Sequence, residues 1–252
     1  MLDRATIRAE QVRVANQRFY DAVAEHYEDV DGRRSPRLRA WLSARLAQIR
    51  GDAPGGRLLD LGSGSGFLCR CAKDVFSFRV GVDLSEKILA ANKDAFEAYA
   101  VGDVNALPFE DEEFDAVTCF AVLHHLYDFA GLVSETRRVL KPGGMFYSDH
   151  DMELAFARRF RLPLQLYRRL RGAERHYHQV DQHLTPEVYE LAEWQSAGVD
   201  AERLVELFEQ AGFAATAGYH WYGLSPLSDR LFGTRRCKRG WGPLLSITAR
   251  KQ

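Results

Sequence analysis

The sequence predicts an α/β fold: a mostly parallel sheet with helices on both faces. Three observations carry this expectation. Residues 58–66, Leu-Leu-Asp-Leu-Gly-Ser-Gly-Ser-Gly, run a short apolar stretch into three alternating glycines, and a helical pattern follows. From residue 57 onward, short apolar runs alternate with helical stretches, the rhythm of βαβ units whose sheet is buried on both sides. That rhythm breaks after residue 150: 151–198 is helical in pattern, and two strand-like pieces, Ala217–Tyr222 and Leu244–Arg250, come later.

Before residue 50 the pattern is helical. Phe19, Val23, Tyr27 and Val30 recur at three- and four-residue spacing, and Pro36 starts a second helix with Leu38, Leu42, Leu46 and Ile49 on one face. Gly51-Asp-Ala-Pro-Gly-Gly56 is a boundary loop. Leu58, Leu59 and Leu61 make the first buried strand, and the glycines after it lack a β-carbon, so the backbone turns sharply and a ligand can lie against the main chain. A second buried strand, Phe78–Val82, ends in Asp83, a carboxylate placed to accept hydrogen bonds from both hydroxyls of a ribose. Together these describe a nucleoside site. Ser85 is the N-cap of a helix over 86–98; the helix before the fifth strand stops at Lys141-Pro-Gly-Gly144; Asp200 caps a helix to Gln210, which Gly212 ends.

Composition narrows the class. At 252 residues and 46% apolar, the chain can bury a sizeable core as one domain with elaborations. A net charge of −1 gives no global attraction to nucleic acid or an anionic surface. No apolar run approaches the roughly 18 residues of a spanning helix, and the first residues lack the apolar stretch of a signal peptide. Cys69, Cys71, Cys119 and Cys237 read as small core residues in a reducing compartment, so a cytoplasmic location is expected.

The glycine spacing selects among nucleoside ligands. The dinucleotide fingerprint G-x-G-x-x-G would need a third glycine where Phe67 stands, and a benzyl group there opposes a pyrophosphate at the helix N-terminus. Gly62-x-Gly64-x-Gly66, preceded by Asp60, instead resembles the first motif of class I S-adenosylmethionine (SAM)-dependent methyltransferases. Three further blocks match that family in order: residues 99–109 with Asp103, residues 114–126, and residues 139–147. The chain is most similar to the small-molecule branch of the ubiquinone and menaquinone pathways, the methyltransferase type 11 group.

The resemblance implies a Rossmann-like seven-stranded sheet, mostly parallel with the last strand antiparallel. It divides the chain into a helical cap or lid (1–50), the SAM-binding core (51–150), a helical insertion roofing the substrate pocket (151–200), and a final helix with edge strands (201–252). It also implies a site map. Gly62, Gly64 and Gly66, with Ser63, shape the methionine end, and Asp60 organises that loop. Asp83 meets the ribose, Leu84 beside it also contacts the cofactor, Asp103 and the Val104 backbone meet the adenine, and Phe120 lines the methionine moiety. Tyr20 and Tyr27, seven apart on one helix face, resemble an aromatic lid over the cofactor. The product would be S-adenosylhomocysteine.

Methyl transfer from a sulfonium is an in-line displacement in which the cofactor brings the hard chemistry and the protein orients, excludes water and sometimes takes a proton. Candidates for that proton are His124 and His125 after the fourth strand and His150 after the fifth; each could equally pack at the pocket wall. No metal site is expected, since the spacing of His176, His178, Asp181 and His183 matches no ligand motif. Arg158, Arg159, Arg161, Arg168, Arg169, Arg171 and Arg175 make the insertion basic, with Phe156, Phe160, Leu164, Tyr167 and Leu170 as its apolar side. That pattern suits an anionic or lipid-like small-molecule substrate, peripheral contact with a membrane, or a cap helix with a wet face; Pro163 interrupts it. Nucleic acid is not an expected partner, and oligomeric state is not encoded. The expected function is SAM-dependent methyl transfer to a small molecule. The rival is a SAM- or S-adenosylhomocysteine-binding partner or sensor without transfer activity; a nicotinamide oxidoreductase is disfavoured by Phe67.

Overall fold

In the computed structural model, which describes residues 3–24, 27, 35–171 and 185–252, seven strands form one sheet. They are β1 (Arg57–Leu61), β2 (Phe78–Asp83), β3 (Ala98–Val101), β4 (Phe114–Phe120), β5 (Leu140–Met152), β6 (Phe213–His220) and β7 (Leu244–Lys251). Their spatial order is β3-β2-β1-β4-β5-β7-β6. The pairs among β1 to β5 are parallel, and β7 runs antiparallel between β5 and β6. The two late strand-like pieces therefore pair with each other as expected, but the opposing strand is the inner one of the two.

The described helices are α1 (Arg4–Val23), α2 (Pro36–Asp52), α3 (Phe67–Cys71), α4 (Glu86–Ala91), α5 (Ala130–Val139), α6 (Leu154–Arg159), α7 (Arg161–Arg171), α8 (Pro186–Ala192), α9 (Ala201–Gln210) and α10 (Pro226–Phe232). Ser35 caps α2 just before Pro36, and Ser85 and Asp200 cap α4 and α9, each side chain accepting a first-turn N–H. The helix expected over 86–98 is shorter, because the Asn92 side chain takes the Ile88 carbonyl (2.9 Å) and the chain leaves helical geometry there.

Strand alternation sends Leu58 to one face and Leu59 and Leu61 to the other. On the first face Leu38, Leu42 and Leu46 of α2 pack with Leu58, Ala116 and Tyr147. On the second, Leu132 of α5 and Leu204 and Phe208 of α9 meet Leu59, Phe146 and Ile247. The helix α2 thus covers the sheet, and the N-terminal cap narrows to α1 and Tyr27. A third apolar cluster joins Phe19 and Val23 of α1 to Ala192 and Val188 of α8. The amphipathic stretch expected across 156–170 is broken at Phe160, and Pro163 falls in the first turn of α7. Val30, Arg175, His176, His178, Asp181 and His183 lie outside the described residues, as do the side chains of 167–171.

Candidate active site

A cavity of about 560 Å³ opens at the carboxyl ends of β1, β2 and β4, with α1 across it. In open α/β sheets this is where ligands bind. Its size falls in the usual range for small-molecule sites, roughly 300–1,000 Å³.

The turn after β1 builds one wall. Gly62 (φ +60°) and Gly64 (φ +50°) line the cavity in left-handed backbone, and a Cβ on Gly62 would lie 2.7 Å from Val122 Cγ2. The bare main chain can therefore touch a ligand. Two predicted residues support this turn from behind and do not line the cavity. Gly66 (φ +72°) faces the core, where a Cβ would come 2.3 Å from Ala95 Cβ, and Ser63 donates its backbone N–H to the Val82 carbonyl (3.0 Å). Asp60 is also behind the wall, accepting from the Thr118 hydroxyl (2.8 Å) and the Cys69 thiol (3.7 Å). Burial pushes its pKa up to about 7, with the nearby charge of Asp83 adding to the effect.

Asp83 ends β2 inside the cavity. Its two oxygens accept from Gly64 N (2.9 Å) and Ser85 N (3.0 Å), which fixes the carboxylate while leaving further lone pairs. Burial raises its pKa. Leu84, Asp103, Val104 and Phe120 also line the cavity. Asp103 Oδ1 accepts from the Asn105 backbone (2.8 Å) and side chain (2.9 Å). A turn of left-handed glycines and a clamped strand-end carboxylate fit a nucleoside cofactor such as SAM.

Across the cavity, Tyr20 Oη lies 2.7 Å from His125 Nε2, and His125 Nδ1 lies 2.7 Å from the Ala192 carbonyl. A carbonyl only accepts, so Nδ1 carries the proton and Nε2 accepts from Tyr20. Burial, with the neighbouring His124 adding to it, pushes the His125 pKa down to about 4, so the ring is neutral at physiological pH. Tyr27 packs edge-on against Tyr20 (5.7 Å) and lines the cavity with it. Asn16, one turn before Tyr20, donates to Val12 O (2.9 Å) and His125 O (3.1 Å). It is 95% buried and lines the cavity, and its Oδ1 has no hydrogen-bond partner among the described residues. Asn16 was not foreseen in the sequence; its only signal is the i, i+4 spacing to Tyr20.

Of the three candidate histidines, His125 alone lines the cavity. His124 packs beside it (ring centroids 3.9 Å) without lining the cavity, its Nδ1 2.7 Å from Asp151 Oδ1. His150 is buried behind Phe120, whose ring it packs against at 4.5 Å. There Asp149 Oδ1 accepts from the His150 backbone (2.7 Å), His150 Nδ1 (2.9 Å) and His220 Nε2 (2.8 Å), while Oδ2 accepts from Tyr147. Burial alone would raise the Asp149 pKa, but His220 and His150 outweigh it and hold the carboxyl well below its ordinary range. This group fixes the strand end: the Asp149 carbonyl takes the N–H of Ala121 (2.8 Å), a cavity residue.

Among the described residues two sets bring potential metal donors together, His124–His125–Glu193 and Asp149–His150–His220. In the first, His125 Nδ1 is protonated toward Ala192; in the second, one carboxylate oxygen already accepts three N–H groups.

No described residue of 151–200 lines the cavity. The insertion acts through α8, which supports α1 and supplies the Ala192 carbonyl; α1 itself makes the roof.

Residues 59–148 match a family model described as Methyltransferase domain, in agreement with the resemblance read from the four sequence blocks. A demethylmenaquinone methyltransferase of Corynebacterium glutamicum is 41% identical over 106 residues, 42% of this chain and 46% of that protein. A ubiquinone biosynthesis O-methyltransferase of Thiobacillus denitrificans is 36% identical over 115 residues, 42% of this chain and 50% of that one. The chain thus spans about half the length of these curated relatives. Among solved structures, a SAM-dependent methyltransferase of Thermotoga maritima superposes with a TM-score of 0.61 at 16% identity, covering 93% of this chain and 100% of that one. The fold is that of SAM-dependent methyltransferases.

Proposed function

We propose that this protein transfers a methyl group from SAM to a small, acidic acceptor of the phenol or quinol type. The observation that carries the reading is one cavity that holds both the glycine–carboxylate wall and the Tyr20–His125 pair. The relatives named for quinone methylation support the acceptor class.

When bound, SAM supplies a methyl group on a positively charged sulfur, open to in-line attack. The chain's own residues do the rest. Asp83, held by two backbone N–H groups, would accept from the ribose hydroxyls; Asp103 and the Val104 N–H would take the adenine edge; Gly62 and Gly64 would let the main chain meet the methionine. The roof helix α1 and Tyr27 exclude water, which strengthens every polar contact inside. The acceptor's proton goes to Tyr20 Oη as the Tyr20 proton passes to His125 Nε2, while Nδ1–H stays on the Ala192 carbonyl. Glu193, whose Oε1 is 4.0 Å from His125 Nδ1, offsets part of the cost of the buried imidazolium. Burial keeps this imidazole neutral and able to accept, but a weak base, so the proton moves with methyl transfer and not before it, as the acceptor oxygen becomes acidic on alkylation.

Calorimetric titration with SAM and with S-adenosylhomocysteine, followed by a labelled-methyl assay on phenols and hydroquinones, tests this. Micromolar binding of both with transfer to a phenol supports it. Binding without transfer to any acceptor would leave a cofactor-binding protein of another role, and no binding would remove the cofactor from the site.

A further inference from the structure

The surface has a second organised feature, remote from the cavity lining. Residues 154–171 and 223–242 together carry eleven basic side chains and one acidic, a net charge of +10. The whole chain totals −1, so everything else carries −11. Among the described residues, seven of the ten exposed large hydrophobics lie on the same two segments, among them Leu162 (70% exposed), Leu227 (67%), Leu231 (63%) and Trp241 (54%).

Aromatic contacts weld the two segments into one face. Phe156 of α6 meets Trp221 at 5.3 Å, Trp221 stacks on Phe232 of α10 at 4.6 Å, and Phe160 meets Trp241 at 6.1 Å. Arg159 lies over the Trp241 ring (4.6 Å). Arg158, Arg161, Arg230, Arg235, Arg236 and Lys238 are exposed on it, and none of these is in an ion pair among the described residues. The face sits at the carboxyl edge of the sheet, since α6 follows β5 and Trp221 follows β6 directly. That is the edge at which the cavity opens.

We infer that this face docks on an anionic lipid bilayer. Each component fits that partner: a leucine and tryptophan surface that can enter the headgroup–acyl boundary, rimmed by arginines that attract acidic headgroups. A second copy of the chain fits poorly, because two strongly basic faces would meet. A nucleic acid would use the arginines but leave the exposed leucines in water. Among the described residues no helix is long and apolar enough to cross a membrane, so contact would be peripheral. The inference does not depend on the methyl-transfer reading.

The test is co-sedimentation of the full chain with vesicles of phosphatidylcholine alone and of phosphatidylcholine with 30% phosphatidylglycerol. Binding should require the anionic lipid and weaken as sodium chloride is added. Each basic residue near an anionic surface contributes about 1 kcal/mol, so Arg235→Gln with Arg236→Gln should weaken binding about 30-fold. Leu227→Glu with Leu231→Glu, both exposed and therefore neutral to folding, should weaken it at least tenfold with circular dichroism unchanged. Absence of binding to anionic vesicles would overturn the inference. So would binding that survives the leucine changes, which would indicate a purely electrostatic partner such as RNA or an acidic protein. A concentration-dependent dimer abolished by those leucine changes would assign the face to a second copy instead.

Discussion

Asp60 is a carboxyl buried at the heart of the sheet, and replacing it with asparagine isolates what its ionisation costs. The side chain is 2% exposed, and burial lifts its pKa from an ordinary 3.8 to about 7. Between those values the folded protein binds more protons than the unfolded chain, so this group's contribution to stability is fully present below about pH 4 and is lost as pH rises through 7. One pKa unit corresponds to about 1.36 kcal/mol, so the loss totals about 4 kcal/mol, of which roughly 3 fall between pH 5 and 8. Asparagine keeps an acceptor for the Thr118 hydroxyl, which Asp60 now receives at 2.8 Å, and does not titrate. Urea unfolding of wild type and Asp60→Asn, under reducing conditions at pH 5, 6, 7 and 8, should show the variant gaining on wild type by about 3 kcal/mol across the series. The difference between the two proteins cancels other titrating groups, including those that stabilise as pH rises. A difference flat with pH would mean that the carboxyl ionises normally and that the strand end behind the glycine turn is wet.

Three further outcomes are expected. Asp83→Ala should weaken SAM binding by about 1.5–3 kcal/mol, the worth of hydrogen bonds to a charged group; unchanged calorimetric affinity would take Asp83 out of the site. Tyr20→Phe and His125→Gln should lower kcat at least tenfold while changing SAM affinity less than threefold. In wild type the acid limb of kcat should fall near pH 4, the value to which burial lowers His125, and equal turnover in all three proteins would dismiss the pair. Gly66→Ala should destabilise the fold by several kcal/mol on the order of a core strain mutation, because φ is +72° and the new methyl would meet Ala95 Cβ at 2.3 Å; an unchanged melting temperature would contradict that geometry.

What could be read in the sequence was local. The strand, the glycine spacing and the terminal carboxylate of β2 are short-range features, and they are enough to imply where a nucleoside would lie. Which of two adjacent histidines faces the cavity was not readable, because a tight 3₁₀ turn over Leu123–His125 sends His124 toward Asp151 and His125 toward Tyr20. His150 has a carboxylate on each side in the sequence, yet only Asp149 pairs with its ring, and the other imidazole in that cluster, His220, is 71 residues from Asp149. The partners of His125 come from α1 and α8, 105 and 67 residues away, so its tautomer depends on tertiary contacts alone. The insertion is legible as basic, but the other segment of the face, residues 223–242, is not, because no single helical period spans it.

The placement of β7 has a consequence for how the chain is made. Residues 244–251 fill the gap between β5 and β6, and the β5 residues they pair with lie about a hundred positions earlier. On the ribosome, β1 to β5 can assemble as they emerge, while one edge of β5 waits with unpaired N–H and C=O groups and β6 has no neighbour at all. Sheet closure must follow synthesis of the final strand, which makes the last step of folding a long-range one. Until then the open edge of β5 and both edges of β6 are exposed to wrong pairing.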